Sequence, residues 1–496
     1  MPTFATVRNA LMAMTLSVPA LLAGSTTFAA SAADDPMQML DDFVHYALVY
    51  NPDLARANAR KLLDSGITAA ELATLLDEGT VTIDRFERAI SWSINTPALE
   101  DVAGELSTFV ELGRLDMARD GDRIEQAVSM LGGTQRQRMI AQRRLLEAGE
   151  YAVPALLRQI TTGRDQGLTL ASVDIIRQIG PQAVIPLCVA LPHLGDATSQ
   201  RVVCDLLGDL GYPHAAPFLM DIAQQERTST PVREAARRAL GRLDMQRRQD
   251  TISAQYTHLA RQFFNNASSL IAYELEDTNN VWTYDQFIGL TPTAVRTEIY
   301  GQVMAMRMTS RALRLDANNA DALSLFVAAN LKRQNDLPQG AADPIFGDSD
   351  YSPDFYATVF GTSTSLDVLG LAIDIQDTQL IRDAIGSLAK TTGGANLFSY
   401  GDGRQPLLEA MRYPDRRVQY ESALTLARAL PQQNFAGDYA VVPLLASAIR
   451  TGGRLFAVVI GDDAEDRRDM TSRLQSAGFD VIGSESSVAG VRNSID

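Results

Sequence analysis

The sequence predicts a mainly α protein: an α-solenoid of helical hairpins with a helical insert, closing on a small partial β-α-β segment. Three observations predict it. Gly149, Gly180, Gly211 and Gly241 stand 31, 31 and 30 residues apart. Before them run apolar rows at helical spacing: Leu145, Ile176 and Leu207 hold one position, and Ala148, Ile179, Leu210 and Leu240 hold another. After the first three glycines come Ala152-Val153-Pro154, Ala183-Val184-Ile185-Pro186 and Ala215-Ala216-Pro217, each opening a second apolar helix. Glycine at a helix end and proline near a helix start is the expected asymmetry. Each unit is therefore helix, tight turn, helix. Ordering one residue costs roughly 1–2 kcal/mol, and a lone hairpin buries too little apolar surface to offset that. Stacked copies share a continuous spine, which is the logic of a solenoid.

Taken in order, residues 1–32 read as an export signal. Arg8 is the sole charge, Ala10 to Gly24 is largely apolar, and Ala30-Ser31-Ala32 fits a small-x-small cleavage site. The apolar core is short for a span of ~20 residues, and no later run is expected to cross a membrane. The expected address is exported, periplasmic or cell-envelope. Residues 33–138 form an N-terminal helical region. Leu40, Phe43, Val44, Ala47 and Leu48 mark one helical face, a second helix runs from Leu54 to Gly66, and Thr68 with Glu71 makes a capping box.

The hairpins occupy 139–244, and their period is the strongest signal in the chain. Residues 245–364 form a helical insert. Its aromatics Tyr256, Phe263, Phe264, Tyr273, Trp282, Tyr284 and Phe287 read as packing of an irregular insert rather than as a ligand groove. Asn335 to Asp354, rich in Gly, Pro and Asp, reads as a long loop. A second, less regular block covers 365–450: Asp377 to Leu388, Tyr413 to Val418 with Ala423-Leu424 and Ala427, then Val441-Val442-Pro443-Leu444-Leu445.

Residues 451–496 change character. Leu455 to Ile460 is a short apolar, β-rich run, typical of a buried parallel strand. Acidic residues follow at a helix start, Gly478 closes that helix, and Phe479 to Gly483 is a second strand.

These residues carry three resemblances. Pro231-Val232-Arg233-Glu234-Ala235-Ala236-Arg237-Arg238-Ala239-Leu240-Gly241-Arg242-Leu243 resembles the first helix of HEAT repeats of the short, PBS-lyase type. That likeness implies HEAT-like hairpins used as a binding scaffold, and does not extend to the chromophore-lyase activity of a few relatives. Ala312 to Leu323 resembles the junction of two tetratricopeptide (TPR) helices, with Ala317 where that pattern has proline. The β-α-β end resembles the opening of a response-regulator receiver domain. That resemblance implies an acidic pair, Asp462 and Asp463, that would hold Mg²⁺ if this end works as a receiver, although the Ala477-Gly478-Phe479 landmark sets Gly461 at the first acidic position and Asp462 at the second. The family's phosphoacceptor aspartate would lie beyond Asp496, so a truncated or degenerate receiver is expected.

Composition narrows function. The chain has 496 residues, 46% apolar and 21% charged, and a formal charge of −16. That balance argues against wholesale nucleic-acid binding, which needs a basic surface. Only Lys61, Lys332 and Lys390 are lysines, and none follows a glycine, so no phosphate loop of the GxxxxGK type exists. HExxH, CxxC and GxSxG are all absent. Cys188 and Cys204, on neighbouring helices amid apolar residues, read as two buried thiols. His258 with Asp277, Asp285 or Glu298 could supply acid–base groups, but a lone histidine without a spaced partner is usually structural. The expectation is a non-enzymatic scaffold without catalytic residues or cofactor, gripping a protein partner on the concave face. The alternative is a phosphorelay signalling protein.

Overall fold

The computed structural model describes residues 35–79, 81–244, 250–347, 351–391, 403–429, 435, 437–451 and 455–487. Residues 1–32, expected to be an export signal, lie outside them. The described residues are mostly helical, with two sheets of two strands each. The chain divides into two compact units, one ending at Arg123 and the other beginning at Ile124.

The first unit is a bundle of short helices around one core. Asp35 caps the helix Pro36–Leu48, whose Leu40, Phe43, Val44 and Ala47 are sealed from solvent. Pro52 opens the next helix, Pro52–Asp64, at a position where a missing N–H costs nothing. The capping box forms as expected: the Glu71 N–H donates to Thr68 Oγ1 at 3.2 Å, and the Thr68 N–H donates to Glu71 Oε2 at 2.9 Å.

The second unit begins with the repeats. Gln135–Ala148, Gln166–Ile179 and Ala197–Leu210 are first helices; Val153–Thr162, Val184–Ala190 and Ala216–Gln224 are second helices. Between them Gly149, Gly180 and Gly211 adopt φ of 57°, 73° and 77°, the left-handed region that only glycine enters without strain. Leu145, Ile176 and Leu207 are all completely buried in the same core. So are Val153, Val184 and Ala216, and likewise Leu156, Leu187 and Leu219 on the second helices. Full burial of such a side chain is worth about 1.5–3 kcal/mol, so each row ties its hairpin to the next. A polar ladder runs along the first helices. Gln142 donates to Gln178 at 2.6 Å, Arg177 to Asp209 at 2.7 Å, and Arg242 to both Asp209 and Asp205.

Gly241 departs from the expected pattern. The helix Thr230–Arg242 runs through it, and the left-handed residue is Asp244, with φ 54°. The Leu243 N–H bonds to the Ala239 and Gly241 carbonyls, which carries the helical bonding past the glycine. A second departure concerns hydropathy. Gln166–His193 has the length and composition of a membrane span. Gly180 breaks it into the two helices of a hairpin, and most of its apolar window is buried in the core.

The insert is helical with one addition. Helices Ile252–Phe264, Thr297–Leu315 and Ala320–Asp336 are joined by an antiparallel hairpin, β1 (Thr278–Asp285) and β2 (Gly289–Arg296). The β-branched and aromatic run Val281-Trp282-Thr283-Tyr284 and the positive φ of Gly289 explain it. The strands pack against the second helices Val153–Thr162 and Val184–Ala190. The junction at Ala312 to Leu323 is a helix-turn-helix, with Asn319 capping the second helix. The long loop is pinned by a buried ion pair between Arg333 and Asp343.

The second block has helices Gly361–Asp374, Thr378–Thr391, Arg416–Arg428 and Asp438–Thr451. Arg382 bridges to Glu421 at 2.9 Å between two of them. Pro443 sits inside its helix rather than at its opening. The end of the chain is the expected β-α-β: β3 (Leu455–Ile460) and β4 (Phe479–Glu485) are parallel, with the helix Ala464–Ser476 between them in sequence.

Candidate functional site

The three glycine turns follow one another along the stack, and the insert packs over the first: Gly149 is buried beside Tyr273, whereas Gly211 is exposed. The succession follows from the repeat: a fixed period places each turn beside the previous one, so equivalent turn residues form a short row. The row is not uniform. Glu150 follows Gly149, whereas Pro181 and Tyr212 follow the other two glycines. The Glu150 carboxylate is buried beneath the β-hairpin. Asn280 Nδ2 donates to its Oε1, and Trp282 Nε1 donates to its Oε2, both at 2.7 Å. Hydrogen bonds to an ionised acceptor are short and strong, so this carboxylate clasps β1 onto the first hairpin. Tyr151 packs edge-on to Trp282, and His193 stacks flat on Tyr284 with centroids 5.0 Å apart. Arg307 Nη1 donates to the Trp282 carbonyl at 2.8 Å.

A second clasp closes the other end. Asp221, on the third hairpin, accepts from Arg311 Nε at 2.9 Å and from Arg311 Nη2, and the Tyr256 hydroxyl lies 3.5 Å from the same oxygen. The insert is therefore bolted to the repeats by two buried carboxylates.

Between the turns and the insert is a cavity of about 180 Å³. Glu150, His214 and Tyr300 supply its buried polar groups; Ile185 and Leu270 supply apolar wall; Ser268 and Ser269 stand at its rim. Burial holds the His214 imidazole down to about 4, below its ordinary 6.5, so it is neutral at physiological pH. Burial also pushes the Tyr300 hydroxyl up, and the charge of Glu150 adds to that. A shallow groove shares Ser268, Ser269, Ile271 and Ala272 with the cavity and continues to Glu274 and Glu276.

The other sequence candidates lie elsewhere. His258 is exposed and its ring faces Gln262 at 3.3 Å on the same helix. Asp285 accepts from the Phe287 and Ile288 N–H groups, Glu298 pairs with Arg296 at 2.9 Å, and the Asp277 carbonyl accepts from Thr297. No bond joins His258 to any of them among the described residues. Cys188 and Cys204 are free and buried. Desolvation pushes the Cys204 thiol up to about 12 and raises Cys188 as well, which suits inert core thiols.

At the C-terminal segment Asp463 caps the helix. Its Oδ1 accepts from the Glu465 N–H at 2.7 Å and the Asp466 N–H at 3.0 Å, and those bonds lower its pKa. Arg467 Nη1 donates to the Gly461 and Asp462 carbonyls. Among the described residues no three His, Cys, Asp or Glu side chains converge as metal ligands.

The turn row and the insert were foreshadowed by the glycine period and by the aromatic cluster. Glu150 was missed. The available signal was that one copy carries a carboxylate where the others carry proline and tyrosine.

No family model matches this chain, and no curated protein matches it. Among solved structures it is similar to a circular tandem repeat protein with novel repeat topology and enhanced subunit contact surfaces. The identity is 14% and the TM-score 0.22, over 93% of this chain and 96% of that one. At that score the helical-repeat assignment rests on the chain's own helices.

Proposed function

We propose that this chain is an exported, non-enzymatic scaffold of HEAT-type hairpins that binds a protein partner. One observation carries the reading. The β-hairpin is clamped at its stem by Glu150, and its tip presents Phe287, 97% exposed, beside Ile288, 70% exposed. Asp285 holds both tip N–H groups, so the loop is set before any partner arrives. Aromatic anchors on a preorganised element are what protein interfaces use as hot spots. The same hairpin lies over the second helices of the first repeats, so the partner surface proposed here is the tip and its surroundings, not the bare face of those helices.

The test is crosslinking from a photoreactive residue at position 287 in the exporting cell, compared with a chain carrying Phe287→Asp and Ile288→Asp. A defined adduct lost in the double variant supports the scaffold. Crosslinking that is indifferent to the tip, alongside a measured turnover, would overturn it.

The parallel β-α-β unit favours a second reading, a phosphorelay role in which Asp462 and Asp463 hold Mg²⁺. Tightening of this segment's proteolytic sensitivity by millimolar Mg²⁺, abolished in Asp462→Asn, would favour that reading. Indifference to Mg²⁺ would dispose of it.

A further inference from the structure

A second cavity, of about 310 Å³, is lined by Thr283 of β1, by Arg307, Ser310 and Arg314 of the helix Thr297–Leu315, and by Ile345 and Phe346 of the long loop. Arg307, Ser310 and Arg314 are spaced by three and then four residues, so they share one helical face. The loop wall is held in place: the buried Asp343 carboxylate pairs with Arg333 and accepts from the Ile345 N–H at 2.8 Å. The cavity is therefore formed before any ligand arrives.

Charge sets it apart. In a chain of formal charge −16, its lining holds two arginines and no acidic residue. Arg307 is mostly buried, and its hydrogen bond goes to the Trp282 carbonyl at 2.8 Å. Among the described residues no carboxylate pairs with it; the ionisable group that acts on it is the Tyr300 phenol, which burial keeps protonated. Arg314 is exposed and makes no ion pair among the described residues. The chain's other covered arginines behave differently. Arg311, one turn from Arg307, is neutralised by Asp221, Arg333 by Asp343 and Arg382 by Glu421. A guanidinium does not lose its proton in a protein, and buried charges are as a rule paired. Arg307 breaks that pattern, and it does so on the wall of a cavity.

The rest of the lining selects the anion. Ser310 donates its hydroxyl to the Met306 carbonyl at 2.7 Å, and Thr283 donates to the Thr291 carbonyl at 3.3 Å. The donors left for a ligand are the guanidiniums, whose planar forks match the two oxygens of a carboxylate. Ile345 and Phe346 make the remaining wall apolar, which suits an anion carrying a hydrocarbon stem and penalises a fully hydrated inorganic one. The volume, about ten waters at ~30 Å³ each, accommodates a short aliphatic acid.

We propose that this cavity binds a monocarboxylate on a short aliphatic stem, its oxygens held by Arg307 and Arg314 and its stem lying on Ile345 and Phe346. Two sources share that chemistry: a free small acid, or a glutamate side chain of a bound protein.

Calorimetric titration of the full chain with sodium butyrate at low ionic strength tests it. Saturable binding is expected, with 1-butanol, n-butylammonium chloride and sodium phosphate each about tenfold weaker or worse. Arg314→Gln, at an exposed position, should weaken butyrate about fivefold or more with the thermal midpoint unmoved. Arg307→Lys, which keeps the charge and loses the fork, should weaken it about as much. Arg314→Glu should abolish binding, and the two Arg314 variants keep the test valid if Arg307→Lys unfolds the chain. Absence of saturable binding would overturn the site, as would butanol or phosphate binding as tightly as butyrate, or affinity unchanged in both Arg314 variants. The α-methylamide of N-acetyl-glutamate distinguishes the sources: binding tighter than butyrate assigns the site to a protein side chain, and equal or weaker binding assigns it to a free acid. Tip variants at Phe287 and Ile288 leave this measurement untouched, so failure here and failure of the scaffold reading are separable.

Discussion

Ile176 and Ile460 are the same side chain in opposite circumstances. Ile176 lies between two neighbouring hairpins and is wholly sealed; Ile460 ends β3 and is about half exposed. The helix that follows β3 has no buried residue at all. A hairpin in a stack is covered by its neighbours on both sides, whereas a parallel pair of strands needs helices over both faces and among the described residues has one helix packed on it. The contrast shows that apolar content does not decide burial; the number of covered faces does.

The largest test of that contrast is Ile176→Ala. It should cost about 2–5 kcal/mol by urea unfolding of the second unit, whereas Ile460→Ala should fall within about 0.5 kcal/mol. Equal losses would erase the distinction. Next is Glu150→Ala, which strands the buried Asn280 and Trp282 donors; about 3 kcal/mol is expected, with a shift in Trp282 emission. A third test uses acid. The His214 site stays neutral down to about 4 when folded, while the unfolded chain takes up the proton near the ordinary 6.5. Stability from this site is therefore complete above about pH 6.5 and is lost as pH falls towards 4, by up to about 3 kcal/mol. In His214→Gln the urea midpoint should be flatter over that window. The smallest effect belongs to the tail: Asp463→Ala removes a cap worth ~1 kcal/mol, and circular dichroism should show fraying of the helix Ala464–Ser476 with the unfolding of the repeats unmoved.

Much of the architecture was readable because it repeats. Three glycines at one interval, with leucine or isoleucine four residues before each, leave little choice of local structure. The β-hairpin was not readable in the same way. Val281-Trp282-Thr283-Tyr284 and Gly289 do carry a strand-and-turn signal, but Pro292 sits within the second strand and the flanking helices dominate the window. Gly241 misled because a glycine in register need not be a turn; the helix passed through it. The cavity was beyond reach, since Glu150, His214 and Tyr300 are brought together by tertiary packing alone.

The two clasps also set a count. Asn280 reaches back 130 residues to the first hairpin, and Arg311 reaches 90 residues to the third. One more or one fewer copy between them would shift Asp221 past Arg311 by about a helix diameter, some 8–10 Å. Most solenoids lengthen freely by duplication. This one carries its own ruler, so its repeat number over 135–224 is pinned by geometry, and a designer wishing to extend it would have to build outward from its ends.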